Sequence, residues 1–268
     1  MPEHFTNQAS GLLGLCAQSG PRMIAVVHHG DEQAELPMLW QLCLTLVNLG
    51  YSVTVLDATT DESTANPGLD QLLEDSHWHG DDAHGAPAWT VLPSAKGIER
   101  LCATPAGGYP NLHQLGRLLP MDGIIILYCR VESMITLISE RRIEPLLAVS
   151  PARTSLLTSY IALKRLLITG NLKPTIVNMI QDHDPASPSV AQPVSAGLSE
   201  CAKRFLNFDV ATFDITEQHG EAHPNGDIQR LALRMLERSA PLSAKYEPMG
   251  RAPRSVPSGP SGQFARSH

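Results

Sequence analysis

The residues best equipped for chemistry lie between positions 28 and 36, His28-His29-Gly30-Asp31-Glu32-Gln33-Ala34-Glu35-Leu36. They stand between an apolar run, Met23 to Val27, and a segment of helical period. In nucleotide-binding proteins a loop in this place is glycine-rich and carries a lysine, so that backbone N–H groups and the ammonium surround phosphate. This one has a single glycine, no lysine and three carboxylates. The adjacent histidines could serve as general bases or metal ligands. Consecutive side chains at a strand end point to opposite sides, however, so the two rings are expected not to converge. A second cluster, His77-Trp78-His79-Gly80-Asp81-Asp82-Ala83-His84, offers imidazoles and carboxylates suited to a hard or borderline divalent ion. Nothing in its spacing fixes a ligand set, and a solvated loop is the simpler account.

The elements that must position these groups follow from the hydrophobic pattern. Arg22 to Ala58 reads as a βαβ unit: an apolar strand, the polar loop, a helix-period segment to Leu49, Gly50, and a second β-rich run ending at Asp57. Further on, Leu69 to Leu73 predicts a short helix, Trp89 to Leu92 a strand, Ile98 to Ala103 a helix, and an amphipathic segment ends near Leu119. Gly123 to Tyr128 is the most apolar run, with no alternation, and predicts a central strand covered on both faces. Leu146 to Val149, Thr175 to Met179 and Val210 to Ile215 predict further strands. Helices are expected over Thr154 to Leu167, Ala196 to Leu206 and Ile228 to Leu236. In Thr154 to Leu167, the residues Leu156, Leu157, Tyr160, Ile161, Leu163, Leu166 and Leu167 mark one broad buried face. This alternation predicts a single-domain α/β fold with a doubly wound, mainly parallel sheet. Ligands on such sheets sit at the carboxyl ends of the strands, so the loops after Val27, Leu56, Tyr128, Val149 and Met179 should surround one cleft.

Composition bounds the rest. At 268 residues and 43% hydrophobic, the chain can bury one substantial core. A formal charge of -7 gives no general basic footprint for nucleic acid. The five cysteines are far apart, with no CxxC pair, as suits reduced thiols in a cytoplasmic protein. No run approaches a membrane span, and MPEHFTNQAS lacks the basic start of a signal peptide. Residues 1–20 are expected to form an arm, either frayed or docking, with Thr6 or Asn7 capping a short helix. Residues 239–268, rich in Pro, Gly, Ser and Arg, are expected to form a disordered tail, leaving 21–238 as the folded domain.

The order and spacing of these segments resemble the MinD/ParA-type P-loop ATPases, and more narrowly the FlhG-type (FleN-type) regulators of bacterial flagellar number. The match runs without a gap from Met23 to Asp57. It continues more loosely through LPSAKGIERL, SPARTSLLTSYIALKRLL and TIVNMI to IQRLALRMLE, about residues 6 to 238 in all. On that resemblance the sheet is of P-loop NTPase type. The family's KGGVGKT loop falls on Gly30 to Leu36: Gly30 replaces the lysine that approaches a partner subunit's nucleotide, Glu35 the phosphate-binding lysine, and Leu36 the Mg²⁺-binding threonine. Putting a carboxylate where an ammonium faced a triphosphate reverses an interaction of about 4 kcal/mol per charge pair at ~4 Å in an effective dielectric near 20. Asp57 matches the first acid after the second strand, but Thr59 stands where a further acid is expected. Leu127 or Tyr128 replaces the switch aspartate, with Arg130 and Val131 at the Ala-Gly switch. Asn178 stands where the family contacts adenine, and also reads as a strand-end cap.

The resemblance therefore implies a chain that binds neither ATP nor Mg²⁺ and has no catalytic residue. It implies a regulator of flagellar number or placement that acts by binding proteins. Asn7, Gln8, Ala9 and Leu12 fall on the family's DQAxxLR segment, which acts on the signal-recognition-type flagellar GTPase, the partner so implied. A homodimer is among the assemblies it allows; nucleic acid and a stable membrane anchor are not expected. The alternative is an ATP-dependent MinD/ParA-type ATPase with an altered site, in partitioning or cellulose secretion.

Overall fold

The run Ile124–Tyr128 sits in the middle of an eight-stranded sheet, as its unbroken apolarity requires. The computed structural model describes residues 20–74, 89–103, 112–118, 123–141, 143–180, 194–216 and 226–242. Asn7, Gln8, Ala9 and Leu12, the cluster from His77 to His84 and the chain beyond 242 lie outside the described residues. Among those described, the strands are β1 (Arg22–His28), β2 (Val53–Asp57), β3 (Thr90–Pro93), β4 (Ile124–Arg130), β5 (Leu146–Val149), β6 (Thr175–Ile180), β7 (Ala211–Thr216) and β8 (Ala240–Pro241). The helices are α1 (Glu32–Asn48), α2 (Leu69–Glu74), α3 (Ala95–Cys102), α4 (His113–Leu118), α5 (Val131–Ile138), α6 (Arg153–Ile168), α7 (Val194–Leu206) and α8 (Gly226–Arg238). Strand order is β3-β2-β4-β1-β5-β6-β7, all parallel, with β8 antiparallel on the start of β1.

The period-2 alternation of the central strands divides the core into two layers. Ile24 and Val26 of β1 and Ile124, Ile126 and Tyr128 of β4 face α1 and α8. Met23, Ala25, Val27, Ile125, Leu127 and Cys129 face the opposite layer, which contains α2 to α7. α1 stops where its sequence says it should. Gly50, at φ +90°, allows the chain to reverse; its N–H reaches Val47 O and that of Tyr51 reaches Leu46 O, a Schellman closure. Among the described residues no helix is long and apolar enough to cross a membrane.

Three expectations are corrected. Val131–Ile138, which no break in the pattern marks, forms α5 directly after β4. In α6 the buried residues are Ser155, Ser159, Ala162, Leu163, Leu166 and Leu167, while Leu156, Leu157 and Ile161 are exposed. The two serines tolerate burial because each hydroxyl is bonded: Ser159 Oγ donates to Ser155 O and Ser155 Oγ accepts the Ser150 N–H. Finally, the ordered chain passes the expected boundary at 238. Ala240 and Pro241 pair with Met23 and Arg22, Leu242 is buried, and Arg22 Nε donates to Ser239 Oγ at 2.7 Å. Ending the chain at 238 instead of 242 is therefore expected to lower stability by about 2–3 kcal/mol, chiefly through the loss of buried Leu242. Urea midpoints of the two lengths measure it.

Candidate functional site

The loop between β1 and α1 is built around a carboxylate. His28 shares its sheet face with Tyr128, because β4 runs parallel to β1 in a register that pairs Val26 with Tyr128 and His28 with Arg130. The two rings meet edge to face, 5.4 Å between centroids. The first turn of α1 lies over the same face and brings in Glu35, whose side chain is fully buried. Gly30, at φ +92°, turns the loop so that the backbone before the helix curls around that side chain.

Both Glu35 oxygens are engaged. Oε1 accepts the backbone N–H of His29 at 2.9 Å and of Asp31 at 3.0 Å. Oε2 accepts from His28 Nδ1 at 2.8 Å and from the Tyr128 hydroxyl at 2.5 Å. The reach of a first-turn glutamate back to the N–H groups ahead of its own helix resembles a capping box. The charge also suits the positive end of the α1 dipole. Burial by itself would push the Glu35 carboxyl up, but the hydrogen bonds from His28, Tyr128 and the His29 N–H outweigh it and hold it at about 2. The bond to Glu35 raises the His28 imidazole above its usual range against the opposing effects of burial and of Arg130. Burial first, and then the bond to Glu35, raises the Tyr128 phenol, so it stays a hydroxyl donor.

The two histidines do converge, contrary to the strand-end expectation. His29 lies one residue past β1, where strand alternation no longer holds, and its Nε2 is 3.5 Å from Glu35 Oε1. That nitrogen donates to the Ala148 carbonyl at 2.7 Å, which leaves Nδ1 to accept from the Thr158 hydroxyl at 2.9 Å in the neutral ring. Asp31 ties the loop to the end of β5: its carboxylate accepts the Ser150 N–H at 2.9 Å and the Ser150 hydroxyl at 3.1 Å.

The remaining nucleotide-site positions are dispersed or otherwise committed. Leu36 is half exposed on α1 and carries no ligand atom. The Asp57 carboxylate accepts from the Thr59 N–H, the Thr59 hydroxyl and the Thr60 hydroxyl, closing its own turn. Asn178 lies inside β6 and not at its end; it is buried and donates to Asp214 Oδ1 at 3.0 Å across β6 and β7. Leu127 is buried in the opposite layer. A cavity of about 280 Å³ opens between Gly30, the β4–α5 junction and α6, so the loops after β1 and β4 share a cleft that the loop after β2 does not line. Sequence reading missed Tyr128 as a partner of Glu35, together with Asp31, Ser150 and Thr158. It also missed Glu62, a buried carboxylate that accepts the N–H groups of Asp70, Lys96 and Gly97. The one available signal for Glu62 was an acid in the loop ahead of α2.

The His29 and Asp31 N–H groups at the start of α1 already bond the Glu35 carboxylate.

Neither a family model nor a curated protein matches the chain. Solved structures do. The MinD of the MinC:MinD cell division protein complex from Aquifex aeolicus is similar at 14% identity over 82% of this chain and 97% of that one, with a TM-score of 0.52. A ParA family ATPase from Chlorobium tepidum TLS is similar at 12% identity over 80% of this chain and 98% of that one, with a TM-score of 0.47. With its parallel sheet, its helical layers on both faces and its β1–loop–α1 unit, the chain has the MinD/ParA-type P-loop NTPase fold.

Proposed function

We propose that this protein is a MinD-like regulator that works by binding other proteins, without a nucleotide cycle, and that it controls flagellar number or placement through the signal-recognition-type flagellar GTPase. One observation carries the nucleotide-free part: the Glu35 carboxylate holds the His29 and Asp31 N–H groups. For a triphosphate to enter, Glu35 would have to leave His28, Tyr128 and both N–H groups. It would then stand unpaired against a polyanion. Phosphoryl transfer depends on positioned cations, and in this reading Gly30, Glu35, Leu36, Asp57 and Asn178 are remnants of a site that binds no ATP or Mg²⁺. A protein partner accords with the neighbouring MinD, whose structure is of a complex with MinC. The flagellar assignment rests on the resemblance of Asn7, Gln8, Ala9 and Leu12 to the GTPase-acting segment, and places the chain in the cytoplasm.

Two measurements test it. Calorimetry with Mg-ATP is expected to show no binding heat, with the mass by light scattering unchanged at saturating ATP. An ATP-driven rise in mass would instead support the ATPase of partitioning or cellulose secretion. The flagellar GTPase should hydrolyse GTP faster with wild-type protein and not with Gln8→Ala; equal stimulation by both removes the arm from the mechanism.

A further inference from the structure

The cavity beside the first loop is distinct from the place that Glu35 fills. Its walls include His28, Gly30, Arg130, Glu132, Thr158 and Arg165. The charges around it do not balance locally. Glu132 is paired with Arg165, and Glu35 has both oxygens engaged inside the loop. Arg130 has no acceptor for its guanidinium among the described residues, and its one interaction is repulsion of the His28 imidazole. The two are register partners at the ends of β1 and β4. His28 turns Nδ1 toward Glu35, so its opposite nitrogen, Nε2, lies on the far edge of the ring and has no partner among the described residues. Helix α5 begins immediately after Arg130, which supplies no side-chain cap, and Val131 and Glu132 border the same space. The Arg130 guanidinium, the free edge of His28 and the uncapped N–H groups at the start of α5 thus face one cavity whose one carboxylate, Glu132, is already paired with Arg165.

We propose that this cavity binds a small phosphomonoester, its phosphate held by the Arg130 guanidinium, the free edge of His28 and the first N–H groups of α5. A planar guanidinium is suited to two phosphate oxygens at once, and the His28 edge and the helix N–H groups offer donors to the third. The wall formed by Val131, Ile161 and Ala162 receives an apolar or short-chain body. At about 280 Å³ the space lies just under the ~300–1,000 Å³ of ordinary ligand pockets. It admits a phosphate with a few carbons and not a nucleoside triphosphate.

The test titrates the full chain with glycerol 3-phosphate by calorimetry, beside inorganic phosphate, propionate and ATP. Wild type is expected to bind glycerol 3-phosphate saturably at one site. Arg130→Gln should weaken it by about tenfold or more, the effect of losing one charged hydrogen-bonding group. Lys164→Gln, which removes an equal charge from the exposed face of α6, should leave binding unchanged. Ile161→Trp, at an exposed position, should block the cavity without altering charge, and remains informative if Arg130→Gln fails to fold. Absence of saturable binding overturns the proposal, as do wild-type affinity in Arg130→Gln or Ile161→Trp and equal losses in Arg130→Gln and Lys164→Gln. Equal affinity for propionate overturns the phosphate preference, and displacement by ATP would move the ligand to the nucleotide position. The outcome is independent of whether the Mg-ATP experiment above succeeds.

Discussion

Glu35→Ala is expected to lower folding stability by about 3–5 kcal/mol, the range for removing one partner from a buried charged pair. For a chain of this size that corresponds to a fall in melting temperature on the order of 10 °C. The loss arises from what stays behind: the two loop N–H groups lose their acceptor, and the His28 ring and the Tyr128 hydroxyl, 2.9 Å apart, are left with only each other. Glu35→Lys should fare no better, because an ammonium cannot accept from the His29 and Asp31 N–H groups and sets a positive charge against them. Leu36→Thr, at a half-exposed position, should be close to neutral. The pH dependence carries a sign for each partner. The Glu35 carboxyl lies below its ordinary 4.5, at about 2, so its contribution is complete above 4.5 and lost as pH falls toward 2. The His28 imidazole lies above its ordinary 6.5, so its contribution is complete below 6.5 and lost as pH rises through the elevated value. The pair is therefore strongest between 4.5 and 6.5, and Glu35→Gln should flatten both flanks of a melting profile. A variant that retained the acid flank would assign it to other carboxylates.

The second large effect is expected at Glu62. Its side chain lies between two helix starts, Oε1 accepting the N–H groups of Asp70 at 3.2 Å and Gly97 at 2.9 Å, Oε2 that of Lys96 at 2.7 Å. Helix ends leave such donors without partners; at α2 Gln71 Oε1 also accepts the Gly68 N–H, while at α3 the N-cap Ser94 turns its hydroxyl to Leu92 O instead. Glu62→Ala should cost about 2–4 kcal/mol, the sum of orphaned buried donors and a lost anion at two dipole ends. Glu62→Gln, which keeps one acceptor oxygen, should lose less. The packing gives no easy compensation, since a Cβ at Gly97 would sit 2.6 Å from Leu69 Cγ. Urea midpoints measure the total, and faster hydrogen exchange at Lys96 and Gly97 would locate it; unchanged exchange there would refute the capping role.

Glu35 and Glu62 answer the same physical need. Each is a buried carboxylate on a cluster of backbone N–H groups at a helix start, the place where this class of fold meets phosphate. At Glu35 an incoming anion would have to compete with the resident one for the donors. The Asp57 oxygens are likewise engaged, closing a turn with Thr59 and Thr60.

The alternation of strands and helices and the central position of β4 were legible in the sequence. Hydrophobic period and turn residues are local properties, and one residue's neighbours in the chain suffice to express them. Helix α5 was not legible because it follows β4 with no intervening glycine, proline or capping residue. The exposed side of α6 was misassigned because serines can be buried once bonded, so an apolar count alone does not orient a helix. The sequence placed an acid where a cation was expected, but not what that acid does. Tyr128 is 93 positions from Glu35, and only the β1–β4 register sets its hydroxyl and the His28 ring on the face that α1 covers. Hydrogen bonds of that kind depend on where distant strands align to within a single residue, since a shift of one would turn Tyr128 toward the opposite layer. That alignment is fixed by the packing of the whole sheet.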